Sequence, residues 1–174
     1  MKLTAWIAIA GTGLLASVAI AGFAGARINT TKSIPLGLYW ESSAPVAKGE
    51  YVIFCPPQIN VFSEAKERGY ISGGFCPGGY GNMMKKILAA KDDAVAVTDE
   101  GITVNGVLLP LSQLKTADPS GRPLPRYQSN QYTLGAAEVL LMSDVSATSF
   151  DARYFGPIST KQIKSVIRPV FTWS

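Results

Sequence analysis

Residues 83–109 read MMKKILAAKDDAVAVTDEGITVNGVLL, and this stretch decides the fold class. Residues 83–90 and 94–98 read as strands. Asp99-Glu100-Gly101 then turns the chain into Ile102-Thr103-Val104. Asn105-Gly106 is a strong two-residue hairpin signal before Val107-Leu108-Leu109, since such a turn needs positive φ at both central positions. Working outward, residues 50–54 form another strand, stopped by Cys55-Pro56-Pro57 because proline cannot donate to a ladder. Residues 61–68 fit a short helix, and residues 69–81 a glycine-rich loop. Beyond the hairpin, residues 118–130 are a loop holding Pro119, Pro123 and Pro125. Residues 131–134 and 138–142 read as strands, and residues 161–170 as a closing strand. Residues 27–43 read as a polar segment with one compact motif. Short strands with closely spaced turns predict a mostly β fold, without repeats or linkers.

The N-terminal end differs in kind. Residues 3–26 carry no charge, and these 24 residues are enough to cross a hydrocarbon core of about 30 Å as a helix. Trp6 suits an interface. Lys2 precedes the run, and Arg27 and Lys32 follow it, so flanking charge does not fix orientation. Two readings stand: an uncleaved anchor, or a signal segment cut after Ala24-Gly25-Ala26. Both divide the chain into a membrane or signal segment, 1–26, and one folded domain, 27–174. Both send that domain across the membrane.

Histidine is absent. That removes Ser-His-Asp and Cys-His catalysis and most zinc sites, so a hydrolase built on this chain needs Lys, Asp, Glu or Tyr as its base. The formal charge of +4 fits a solvated basic surface. No basic block with interleaved aromatics argues for bound nucleic acid. Cys55 and Cys76 match no metal spacing. Outside the cytoplasm they can form a disulfide, whose loop closure is worth roughly 3 kcal/mol.

Without histidine, a Ser-Lys dyad is the natural candidate for acyl transfer. An ordinary lysine is protonated near neutrality and cannot act as a base. Burial against apolar groups disfavours the ammonium and lowers its pKa. Lys85 and Lys86, flanked by Met83-Met84 and Ile87-Leu88, meet that demand. On a strand the two point to opposite faces, and periodicity does not choose between them. A decoy also occurs: Ser112-Gln113-Leu114-Lys115 has the S-x-x-K spacing of penicillin-recognising enzymes, but the companion motifs are missing.

Four segments in fixed order carry a more specific signal. They are Thr31-Lys32-Ser33-Ile34-Pro35-Leu36-Gly37-Leu38-Tyr39-Trp40, then Lys48-Gly49-Glu50-Tyr51-Val52-Ile53-Phe54, then Met84-Lys85-Lys86-Ile87-Leu88-Ala89-Ala90, and last Ser149-Phe150-Asp151-Ala152-Arg153-Tyr154-Phe155-Gly156-Pro157-Ile158. Together they resemble the boxes of type I signal peptidases, over essentially the whole chain. The SIPLGLYW form of the first box, the compact size and the single apolar segment are most similar to the TraF-type conjugative transfer peptidases. Ser33 is followed by Ile34-Pro35-Leu36-Gly37 rather than the Met-x-Pro-Thr usual in housekeeping enzymes, which points away from general secretory processing.

The resemblance implies a signal-peptidase-like fold, a β-barrel or complex β arrangement behind one N-terminal apolar helix. It implies Ser33 as nucleophile, Lys85 as general base, Thr31 as an oxyanion donor and Ser149 as the hydroxyl that orients the lysine. Asp151 and Arg153 would support the site, a role that an ordinary ion pair holding a turn would also fill. No metal and no cofactor is implied. The implied substrate is a pilin precursor that is cleaved and cyclised, at the inner membrane with the catalytic domain in the periplasm, in contact with other proteins of the conjugation apparatus. The alternatives are a general signal peptidase and a non-catalytic, membrane-anchored assembly factor.

Overall fold

The computed structural model describes residues 3–173, so Lys2 lies outside the described residues. One long helix, α1 (Leu3–Phe23), precedes a β-rich body, and none of its residues is buried against that body. The strands are β1 (Ala26–Asn29), β2 (Leu36–Ser42), β3 (Tyr51–Phe54), β4 (Gly73–Cys76), β5 (Met83–Ala89), β6 (Ala94–Thr98), β7 (Gly101–Val104), β8 (Val107–Leu108), β9 (Ser129–Thr133), β10 (Glu138–Met142), β11 (Ile158–Ser159) and β12 (Ile163–Trp173). Two short helices, α2 (Asn60–Glu67) and α3 (Ala152–Phe155), lie between them. A seven-stranded sheet runs β1-β2-β12-β3-β5-β10-β11, and a four-stranded sheet runs β8-β7-β6-β9. The fold is mostly β with one apolar helix, and neither sheet closes into a barrel.

The Asn105-Gly106 turn has positive φ at both residues, 52° and 79°, as a two-residue hairpin requires. Strand parity then sorts the core. On β3, Val52 and Phe54 enter the main core with Ile87, Leu140 and Phe155, while Ile53 enters a smaller cluster with Ile34, Tyr39 and Ile167. Each such fully buried apolar side chain is worth about 1.5–3 kcal/mol. On β5, Met83, Lys85, Ile87 and Ala89 are buried in strict alternation.

Several elements differ from the sequence expectation. Residues 27–43, read as a polar segment, contain β1 and β2, paired antiparallel from Ala26↔Trp40 to Asn29↔Gly37. The pattern hid them because β1 is only four residues long and buries little besides Asn29. The closing strand starts and ends later than 161–170 and carries Pro169 inside it; the register against β2 shifts between Pro169 and Phe171, a bulge that accommodates the missing donor. The glycine-rich loop holds β4, and Cys55 and Cys76 are joined by a disulfide with Cα atoms 5.5 Å apart.

Candidate active site

Ser33 sits in the loop that joins β1 to β2, and the local sequence explains how that loop is held. Ile34 is fully buried in the smaller cluster. Tyr39, also buried, donates its hydroxyl to the Pro35 carbonyl at 2.7 Å. Burial, with Tyr51 and Asp144 nearby, pushes the Tyr39 phenol up to about 12, so it stays a donor. Gly37 is required by close approach: a Cβ there would lie 2.3 Å from the Phe171 carbonyl oxygen on β12. Ile34-Pro35-Leu36-Gly37 thus fixes the backbone on which Ser33 rides.

Asn29, the last residue of β1, organises the same loop and was not singled out by the sequence. It is 3% exposed. Its Nδ2 donates to the carbonyls of Thr31, Ile34 and Pro35 at 2.7, 2.9 and 3.0 Å. Its Oδ1 accepts from the Thr31 N–H at 3.2 Å and the Thr31 hydroxyl at 3.0 Å. The Thr31 Oγ1 lies 3.4 Å from the Ser33 Oγ. Asparagine's readiness to bond nearby backbone was the only signal available, and it is common to many loops.

Lys85 is 2% exposed, on the main-core face of β5. Burial lowers its pKa to about 8, the nearby Asp151 raising it and Arg153 lowering it. Among the described residues it enters no salt bridge. Lys86 faces the other way. Its ammonium meets Asp144 at 2.7 Å and lies 5.3 Å from the centre of the Tyr51 ring. The Asp144 contact raises the Lys86 pKa.

Ser33, Lys85, Thr31 and Asn29 line one cavity of about 400 Å³, together with Tyr70 and Phe150. Along one edge of this cavity, β5 outruns its neighbour. The pairing of β10 with β5 ends at Met142↔Lys86, so Met83, Met84 and Lys85 have no strand partner on that side among the described residues. Ser33 also lines a second cavity, of about 350 Å³, with Ser149. The Ser149 hydroxyl is buried without a hydrogen-bond partner among the described residues, so it does not hold Lys85 in this structure.

Asp151 and Arg153 form a fully buried, two-pronged ion pair, with Nε and Nη2 each 2.8 Å from a carboxylate oxygen. The remaining guanidinium donors reach the carbonyls of Leu111, Ala147, Ser146 and Ser149. Asp151 also caps α3 and accepts from the Ser143 N–H. The pair therefore ties two stretches of irregular chain, at Leu111 and at Ser143–Ser149, to the start of α3. The decoy serine, Ser112, is buried and spends its hydroxyl on the backbone of Ile102 and Leu109. Lys115 is exposed beside it.

Residues 2–173 match the family described as signal peptidase, peptidase S26. A plasmid transfer protein TraF from Escherichia coli is 69% identical over 172 residues, covering 99% of this chain and 97% of that protein. A conjugal transfer protein TraF from Agrobacterium tumefaciens (strain 15955) is 36% identical over 161 residues, covering 91% and 88%. Among solved structures, a signal peptidase I from Enterococcus faecalis V583 aligns with a TM-score of 0.42 at 16% identity, over 73% of this chain and all of the other.

Proposed function

Since the chain belongs to the signal peptidase family, peptidase S26, we propose that it cleaves a peptide substrate with Ser33 as nucleophile and Lys85 as general base. The observation that carries this reading is the state of Lys85: buried, without a salt bridge among the described residues, lowered to about 8, and lining one cavity with Ser33 and Thr31. A lysine in that state is substantially neutral near pH 8, which is what a base needs.

The unpaired edge of β5 suits an extended substrate, which would add as a further strand until its scissile carbonyl meets Ser33. Neutral Lys85 takes the Ser33 proton as Oγ attacks the carbonyl that follows a small residue such as alanine. The Ser33 N–H and the Thr31 hydroxyl hold the oxyanion, where one well-aimed donor is worth about 3 kcal/mol. The Thr31 hydroxyl now points at Asn29, so it must rotate to serve. The Lys85 ammonium returns its proton to the departing amine, and the buried Ser149 hydroxyl is free to accept from it. Water then releases the acyl group, or an amine does. The resemblance of the four boxes to TraF-type transfer peptidases implies a pilin precursor whose own N-terminus is the amine, giving a ring. That outcome needs the two ends held at high effective molarity.

The 21 residues of α1 reach about 31 Å, enough to span the bilayer core, and we read this helix as a retained anchor that holds the domain on the periplasmic side. A cut after Ala26 would fall inside β1, where Ala26 pairs with Trp40 and Arg27 donates to the Gly22 carbonyl at 2.7 Å. A mature protein that begins at Arg27 would end that reading.

The core test compares wild type with Ser33→Ala and Lys85→Ala on a purified pilin precursor. Both variants should lose processing; a normal rate in either sinks the dyad. A cyclic product is one water lighter by mass spectrometry than the trimmed linear chain, which separates ring closure from hydrolysis.

A further inference from the structure

A scissile bond has a chain on each side, and Ser33 borders two hollows. The first holds the base and the unpaired strand edge. Neither Lys85 nor Thr31 lines the second. Tyr70 and Phe150 line both, so the two hollows adjoin at Ser33. If the acyl half of the substrate lies along β5, the departing half must continue into the second hollow. Its volume of about 350 Å³ falls in the range of small-ligand sites, roughly 300–1,000 Å³.

The charges around this second hollow are uneven. Lys32, Lys115 and Asp118 line it. Asp118 is already spoken for. Its carboxylate accepts from the Tyr70 hydroxyl and Arg122 Nε at 2.6 Å each, and from the N–H groups of Ser120 and Arg122 at 2.9 Å. These donors hold its pKa well below the usual carboxylate range. Among the described residues, neither Lys32 nor Lys115 has a salt-bridge partner. Two cationic residues therefore line this hollow, and its one acidic residue is already bonded. The Ser146 and Thr148 hydroxyls, 3.3 Å apart, add polar groups to the same lining.

We propose that the second hollow is the subsite for the departing segment of the substrate, and that Lys32 and Lys115 select a carboxylate on that segment. This inference rests on the reading of Ser33 as nucleophile. In the step it serves, the Ser33 Oγ–carbon bond forms, the carbon–nitrogen bond breaks, and the departing amine takes the proton held by Lys85. The carboxylate can be an acidic side chain or the free C-terminus of a short departing peptide. Both present the same charge to the two lysines. A basic departing segment would be disfavoured by the same field.

The test uses the full-length protein in detergent and peptides identical up to the cleaved bond. One pair carries Glu or Gln in the departing segment; a second pair ends in a free carboxylate or an amide. We expect the anionic member of at least one pair to have a kcat/KM higher by on the order of fivefold at low salt, with the ratio falling towards one as salt is added. The pair that shows it identifies the source of the charge. Lys115→Glu should turn the preference towards a departing lysine. Equal kcat/KM within both pairs, in an enzyme that cleaves them, overturns the subsite and leaves the dyad standing. A preference that survives Lys115→Glu unchanged removes Lys115 from it. Failure of the wild type to cleave any peptide faster than Ser33→Ala overturns the dyad itself.

Discussion

Lys85 and Lys86 are consecutive on β5, yet the two faces of that strand give them opposite chemistry. On one face, Lys85 lies among Met83, Ile87 and the main core, and burial lowers its pKa to about 8. On the other, Lys86 has solvent, Asp144 and the Tyr51 ring, and its pKa rises. The side chains and the backbone are the same; only the surroundings differ. A lysine becomes a base where the fold refuses it a counter-ion and water, and stays a cation where the fold supplies them. The carboxylate whose charge acts on Lys85, Asp151, is bound to Arg153 on both oxygens, so its charge is largely shared before it reaches Lys85.

Replacing each lysine by arginine should break the symmetry most sharply. A guanidinium cannot give up its proton near neutrality. Lys85→Arg is expected to lower kcat/KM by about a thousandfold, the scale of a lost general base. Lys86→Arg should keep its Asp144 partner and most of its activity. A dead Lys86 variant beside an active Lys85 variant would reverse the assignment.

The acidic partners of the two faces should differ next. Asp151→Asn leaves the fully buried Arg153 without its counter-ion, and we expect unfolding in denaturant to show a loss of about 3–5 kcal/mol. Asp144→Asn removes a partly exposed pair and should cost no more than about 1 kcal/mol. Equal losses would mean that the two faces are not as different as the geometry makes them.

The third expectation is a trade between function and stability at Lys85. Its folded value of about 8 lies below the ordinary 10.5, so the fold disfavours the proton. Below pH 8 the buried ammonium costs about 3 kcal/mol, and the cost fades as pH rises from 8 to 10.5. Lys85→Met should therefore be inactive but more stable than wild type at pH 7, by up to that amount, with the gap closing near pH 10.5. In the active enzyme, kcat/KM should climb with unit slope to about pH 8 and then level. A flat profile from pH 6 to 9, or no stability gain at pH 7, would remove the special status of the Lys85 face.

Much of this was legible in the chain. The turn pairs and short apolar runs marked β3, β5, β6, β7 and β10 within a residue or two, because hairpin turns and strand alternation are local properties. The order of Ser33, Lys85 and the Ser149–Arg153 segment pointed to the candidate site, and the missing histidine left Lys, Asp, Glu or Tyr as the candidate base. Strands β1 and β2 were not legible, since their partners are β12 and each other, and short mixed segments become strands only when a neighbour pairs with them. Asn29 was not legible either. Its five hydrogen bonds depend on a loop conformation that a lone Asn in Arg27-Ile28-Asn29-Thr30 does not announce.

By itself, then, the sequence determined an apolar helix ahead of a β body and narrowed the proposed base to two adjacent lysines. Alternation along a strand requires those two to part, but it does not say which face is dry. Only the tertiary structure decided that. It packed the Lys85 face against the main core and left the Lys86 face to Asp144 and solvent, because burial is a property of what packs against a strand and not of the strand's own residues.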